Sequence, residues 1–210
     1  MLFNYLSFAS GLLPIIAAII NYRHLTPILK LAAILFTVAF LVDFLSYLYY
    51  LGYIKLSNNN NQPFFHLSII INIIFYSIIY YRSFYKNQLK KFTLILGILA
   101  LSLVLFFTIK DSIWKYPSWG NTVLCIYMII VSLLYFYQIL DQQEFIHVEE
   151  QPLFWISSGV LIYSSFNIFL YMLYDKLKDP MTSYTIHRIT DIITNLLFAT
   201  GLLCKARKTT

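Results

Sequence analysis

Charge is scarce in this chain, with 11% of residues charged and 60% hydrophobic, where a soluble domain carries roughly 25% charged residues. A water-soluble fold could not hide that much apolar surface, so soluble enzymes and soluble binding modules are excluded. Cysteine is scarcer still. Cys125 and Cys204 both lie in or at the edge of apolar segments, which rules out a disulfide framework and a CxxC metal knuckle. No basic strip is long enough for nucleic acid, although the formal net charge is +6. The first apolar stretch, Leu2 to Ile20, lacks a basic start and a small-x-small cleavage site, so it reads as a retained helix and not as a signal peptide.

What is there is one apolar stretch after another. The expectation is an all-α polytopic membrane protein, residues 1–210 forming a single seven-helix transmembrane domain. Helices are expected at 2–21, 27–52, 64–83, 91–109, 119–140, 152–174 and 183–204, each near the ~20 residues that span hydrocarbon. Breakers divide them: Asn21 to Pro27, Ser57 to Pro63, Lys86 to Lys91, Asp111 to Gly120, Asp141 to Pro152 and Asp175 to Pro180. Pro63 and Pro152 fall where a first helical turn tolerates proline. The run Asn58 to Asn61 reads as a solvated turn.

Orientation follows from Lys and Arg on alternate sides. One side receives Arg23, Lys30, Arg82, Lys86, Lys90, Lys91, Lys205, Arg207 and Lys208; the other receives Lys55, Lys110, Lys115, Lys176, Lys178 and Arg188. The excess on the first side predicts an external amino terminus and a cytoplasmic carboxyl terminus. The loop with Asp141, Glu144, Glu149 and Glu150 holds no Lys or Arg and reads as a solvated face, with the basic tail or a protein as alternative partners. Richness in Ile, Asn, Lys, Tyr and Phe suggests an A+T-rich genome and a bacterial inner membrane.

Ionisable side chains inside a bilayer are costly, roughly 2.5–3.5 kcal/mol at a helix centre on insertion scales, and mark the place to look for function. Asp43 shares a face of the second segment with Phe36, Phe40 and Tyr47. His187, Arg188, Asp191 and Asn195 make one polar stripe on the seventh. Facing polarity is offered by Ser157, Ser164, Asn167 and Tyr171, by Asn121, Cys125, Ser132 and Tyr135, and by Asn72 and Tyr76. The fourth segment carries only Thr93, Ser102 and Thr108 as hydroxyls and is expected to be peripheral and lipid-facing.

The candidate site is therefore Asp43, Asn72, Asn121, Asn167, His187, Arg188, Asp191 and Asn195 in the outer half. Two readings stand open. In the structural one, Asp43 and Asp191 share Arg188 and the remaining groups bond across helices. In the functional one, Arg188 holds an anionic or polar ligand in an outward-opening pocket. No cofactor is expected. Zinc is the alternative, on His66, His187, Asp191 and Asp43, where a bound water would serve hydrolysis.

That spacing resembles the alkaline-ceramidase-like seven-helix hydrolases, in which paired histidines four apart join a further histidine and an aspartate; His187 matches one member of the pair and Asp191 replaces the other. A retinal protein needs a lysine midway along the last segment, where the first lysine here is Lys205. Gln62-Pro63 and Gln151-Pro152 reverse the Pro-Gln motif of sugar transporters with three, one and three helices. No bundle serine sits in a nucleophile elbow.

More broadly, the segments TVAFLVDFLS (37–46), FHLSIIINIIFYSIIYY (65–81), PLFWISSGVLIYSSFNIFL (152–170) and IHRITDIITNLLFATG (186–201) resemble a widespread group of small bacterial seven-helix integral membrane proteins. Asp43, Asn167, His187 and Asn195 stand where such proteins carry polar residues, and Asn72 where an acidic residue is expected. The resemblance implies topology and no activity. Three functional classes follow: a non-enzymatic sensor or accessory protein of signalling or defence, with cytoplasmic basic loops that meet a protein partner or lipid; a zinc-dependent membrane lipid hydrolase; and a small transporter or pore-forming oligomer.

Overall fold

A computed structural model describes residues 2–54, 60–141, 147–174 and 180–204. Among the described residues the regular structure is helical throughout, with no strand: α1 (Leu2–Ser10), α2 (Leu12–Asn21), α3 (Pro27–Tyr50), α4 (Gln62–Ser83), α5 (Asn87–Asp111), α6 (Ser118–Leu140), α7 (Pro152–Met172) and α8 (Pro180–Leu203). Short 3-10 turns, Tyr22–His24 and Val148–Glu150, precede α3 and α7.

The stretch expected to be one helix over 2–21 is divided at Gly11. Pro14 explains the division. It has no N–H to give the Ser10 carbonyl one turn back, and its ring crowds that carbonyl. At the break the Gly11 N–H is shared between the Ser7 and Phe8 carbonyls at 3.3 and 3.2 Å. At the start of α3, Thr26 accepts a hydrogen bond from the Leu29 N–H and Pro27 fills the first helical position, the arrangement that residue order favours.

Six segments are long and apolar enough to cross a membrane: Tyr5–His24, Pro27–Tyr49, Gln62–Ser83, Asn87–Asp111, Ser118–Leu140 and Pro152–Met172. α8 is not among them. Its 24 residues give a rod of about 36 Å at 1.5 Å per residue, but His187, Arg188, Asp191 and Asn195 lower its hydropathy.

α7 packs between α6 and α8; α1 and α2 lie along α8; α3 joins α2 to α4; and α4 also touches α6. Because α4 and α6 meet directly, α5 is left outside, packed chiefly on those two. Its Ile95, Ile98, Leu99, Phe106 and Ile109 are exposed, as expected for a peripheral helix. The core runs through Leu35, Ile69, Ile73, Ile79, Tyr80, Val131, Ile156 and Leu202, all essentially inaccessible. Hydroxyls stitch it together: the Tyr80 hydroxyl donates to Ser157 Oγ at 3.0 Å and lies 3.2 Å from Ser132 Oγ, and Ser77 Oγ meets the Tyr127 hydroxyl at 2.7 Å. α7 and α8 approach closely where Gly201 faces Pro152; a Cβ there would stand 2.7 Å from the Pro152 carbonyl oxygen.

The two ends of the bundle differ in chemistry. At the end with the α4–α5 and α6–α7 loops, Lys86 is ion-paired with Asp141, whose carboxylate also accepts from the Tyr85 hydroxyl at 3.0 Å. Gln138 accepts from the Tyr85 N–H at 2.9 Å and donates to the Ser83 carbonyl at 3.2 Å. Asp141 of the acidic loop thus pairs with the preceding basic loop; Glu144 lies outside the described residues. Hydrogen bonds from Lys86 and Tyr85 hold the Asp141 carboxyl below the usual carboxylate range, and the same bond raises Lys86. At the opposite end, the Asn60 amide donates to the Trp114 carbonyl at 2.6 Å and the Asn61 amide to Ser46 Oγ at 2.7 Å, so these two members of the asparagine run tie loops together. Asn58 and Asn59 lie outside the described residues.

Candidate functional site: a polar crevice between α1, α3 and α8

α8 is two-faced by residue order. Ile186, Ile189, Ile193 and Leu196 lie exposed on one side, suited to lipid. Asp191, Asn195, Phe198 and Leu202, spaced four, three and four, turn to the bundle. Asp191 is the hub of this stripe. Its Oδ2 accepts from Ser7 Oγ at 3.0 Å, lies 3.8 Å from Arg188 Nη1 and lies 3.7 Å from His187 Nε2. Arg188 Nη1 also approaches Ser7 Oγ at 3.4 Å. These three α8 side chains are about one-quarter exposed, at 27% for His187, 26% for Arg188 and 20% for Asp191.

His187 is fixed from α7. Asn167 is fully buried, and its amide nitrogen donates to the Tyr163 carbonyl at 2.8 Å and to Thr190 Oγ1 at 3.0 Å. Its oxygen is therefore left to accept, and His187 Nδ1 lies 2.6 Å away. That pairing puts the ring proton on Nδ1 and turns the Nε2 lone pair toward Asp191. The rings of Tyr163 and Tyr171 flank His187 at 5.9 and 6.0 Å, and their hydroxyls bond each other at 2.9 Å.

The first span contributes a ladder of small polar groups along α8. Ser7 bonds Asp191, Ser10 Oγ accepts from the Asn195 amide at 2.9 Å, and the Asn21 amide donates to the Leu202 carbonyl at 2.8 Å. Ser7, Ser10 and Asn21 are all buried. Sequence reasoning passed over them, although Ser7, Ser10, Pro14, Ala17 and Asn21 repeat at alternating spacings of three and four, the signature of one packed helix face.

Asp43 completes the site from α3. Ile34, Leu41 and Leu45 form the lipid side of that helix and are exposed. On the opposite side Leu29, Ala32 and Phe36 are buried. Asp43 continues this inward side, two turns beyond Phe36, and yet it is exposed. A residue that faces the bundle and remains exposed lines a crevice. Phe36 and Phe198, two turns away on α3 and α8, stack at 4.3 Å. Phe8 of α1 packs against Phe40 at 5.1 Å, Tyr47 at 5.3 Å and Phe44 at 6.3 Å, forming an aromatic flank. Asp191 and Arg188 lie within electrostatic range of Asp43, but among the described residues Arg188 forms its ion pair with Asp191 on its own helix and not with Asp43.

Of the remaining expected residues, Asn72 is turned to its own helix, donating to the Ser68 carbonyl at 2.9 Å. Asn121 is buried at the head of α6 beside Tyr116, which stacks on Tyr174 at 4.3 Å and lies 6.5 Å from Tyr171, the ring next to His187. His66 is engaged elsewhere: its ring nitrogens lie 3.0 Å from Thr108 Oγ1 and 3.1 Å from the Lys115 carbonyl. Asp43, His187, Arg188, Asp191 and Asn195 thus belong to one site with Asn167 behind it, and His66 and Asn72 stand apart. Among the described residues no group of three or more His, Cys, Asp or Glu side chains is arranged to hold a metal ion. No known protein family, characterised protein or solved structure matches the chain.

Proposed function

We propose that this chain is a non-enzymatic sensor or accessory protein of the cell membrane, with seven crossings, an external amino terminus and a cytoplasmic carboxyl terminus, that takes a small polar ligand into the crevice. The exposure of Asp43 on the bundle-facing side of α3 carries this reading. A carboxylate there stands within electrostatic range of a guanidinium and a second carboxylate, and intramembrane charges of this kind mark ligand sites in membrane bundles.

The orientation is supported by the Lys86 end, where Lys30 sits over Tyr22 at 4.8 Å, Lys86 near Tyr85 and Tyr137 at 5.9 Å and Lys90 near Tyr81 at 5.9 Å. Such a basic and aromatic belt suits the cytoplasmic headgroup layer. α8 is long enough to cross, and it packs against α1, α2 and α7. The test is labelling with a membrane-impermeant thiol reagent on intact cells, in a background where Cys125 and Cys204 are serine. Cysteine at Asn60 should react from outside and cysteine at Asn87 should not; the reverse pattern would invert the topology and turn the crevice toward the cytoplasm.

A further inference from the structure

Resting on that reading, we infer that the crevice selects a ligand carrying an organic ammonium group. Arg188, the cation of the site, is already drawn to Asp191 at 3.8 Å and to Ser7 at 3.4 Å, which directs it to the α8 wall. Asp43 has neither a hydrogen bond nor an ion pair among the described residues, and the nearest formal charges felt by it include a second carboxylate, Asp191. Among the described residues, two carboxylates stand near one guanidinium here.

Its surroundings are aromatic. Phe40 and Tyr47 precede and follow Asp43 by one turn on the same face of α3, and Phe8 bridges them from α1. A carboxylate with aromatic residues one turn to either side of it suits an alkylammonium ion, whose charge the carboxylate meets and whose methyl or methylene groups the rings meet. Inorganic cations with tight hydration would gain little from the rings, and anions would be repelled by both carboxylates. Asp43 stands seven residues before the end of α3 at Tyr50, about 10 Å along the axis. That depth is within reach of a dissolved amine and of the ethanolamine headgroup of a lipid.

The test uses the full chain in nanodiscs of phosphatidylglycerol, with thermal stability followed as choline or ethylammonium is titrated at constant ionic strength. Saturable stabilisation is expected, since a ligand of the folded state raises its stability. Asp43→Asn should weaken the apparent affinity more than about tenfold. Asp43→Glu, which keeps the charge, should retain a shift. Tyr47→Leu should weaken choline about three- to fivefold through the lost ring. If the amine comes from lipid, discs of phosphatidylethanolamine stabilise the wild type but not Asp43→Asn, and added choline brings no further gain.

Equal shifts in wild type and Asp43→Asn would overturn the inference. So would stabilisation by inorganic phosphate that disappears in Arg188→Gln, a result that leaves the crevice as a ligand site of opposite preference. No response to either amine, either lipid or phosphate would overturn the ligand site itself.

Discussion

Phe36 of α3 and Phe198 of α8 stack with their ring centres 4.3 Å apart and 12° between planes, and the two aspartates of the site stand seven residues beyond them, Asp43 on α3 and Asp191 on α8. Seven residues are two turns, so both carboxylates project from the same side of their helices as the stacked rings. The stacked pair thus marks a level at which the two helices touch, two turns from both aspartates.

Breaking this stack should be costly. Phe198→Ala deletes a buried ring that also packs against Gly159, and a loss of about 3–5 kcal/mol is expected. Chemical denaturation in detergent micelles measures it, and Phe198→Leu should recover more than half.

Water should reach one side of α3 and not the other. In the cysteine-free background, a cysteine at Asp43 should react with a small charged thiol reagent much faster than one at Leu41, two residues away on the lipid side. Equal rates would remove the crevice.

Arg188 should couple more strongly to Asp191 than to Asp43. Double-mutant cycles with alanine are expected to give about 1–2 kcal/mol for the ion-paired residues, where contact exists, and under about 0.5 kcal/mol for Arg188 with Asp43. Comparable values would mean that Asp43 closes onto Arg188 in solution.

Asn167 should resist replacement. Asn167→Ala strands His187 Nδ1 and Thr190 Oγ1 of their partner, and buried polar contacts within membranes average about 0.6 kcal/mol with a ceiling near 1.7, so a loss of about 1–2 kcal/mol is expected in the same assay.

The Lys86–Asp141 pair should show its sign in acid. Because Asp141 titrates below the usual carboxylate range in the folded chain, its contribution is complete at neutral pH and disappears as pH falls through that lowered value. Because Lys86 is raised, its contribution persists below its ordinary value and is lost only as pH climbs past the raised one. Melting temperature of Asp141→Asn and wild type should therefore differ slightly at pH 7, the pair being exposed, and converge in strong acid.

Faces were legible in the sequence where polarity is expensive. An aspartate or arginine in an apolar helix must turn away from lipid, so the inward sides of α3 and α8 and the buried face of α7 could be read from spacing alone. Neighbours were harder. Periodicity says which side of a helix a residue occupies and not which helix meets it, so His66, grouped from the sequence with His187, Asp191 and Asp43 as an alternative zinc set, proved to be engaged by Thr108 and Lys115 and not by α8. Ser7, Ser10 and Asn21 were missed because hydroxyls and a single amide barely disturb a hydropathy profile. The break at Gly11 was readable from Pro14, whose missing donor acts one turn upstream.

The ladder between the first span and α8 bears on how such a chain is made. α8 is the one long helix among the described residues that falls short of membrane-crossing hydropathy, and the groups it must shield are answered by Ser7, Ser10 and Asn21, near the other end of the sequence. On the seven-crossing reading, α8 would partition poorly by itself and would find its place in the bilayer against helices already there. The translocation machinery would then have to retain α1 and α2 until α8 emerges, and truncation before Pro180 would leave three polar groups of the first span facing lipid, a state suited to recognition by membrane quality-control proteases.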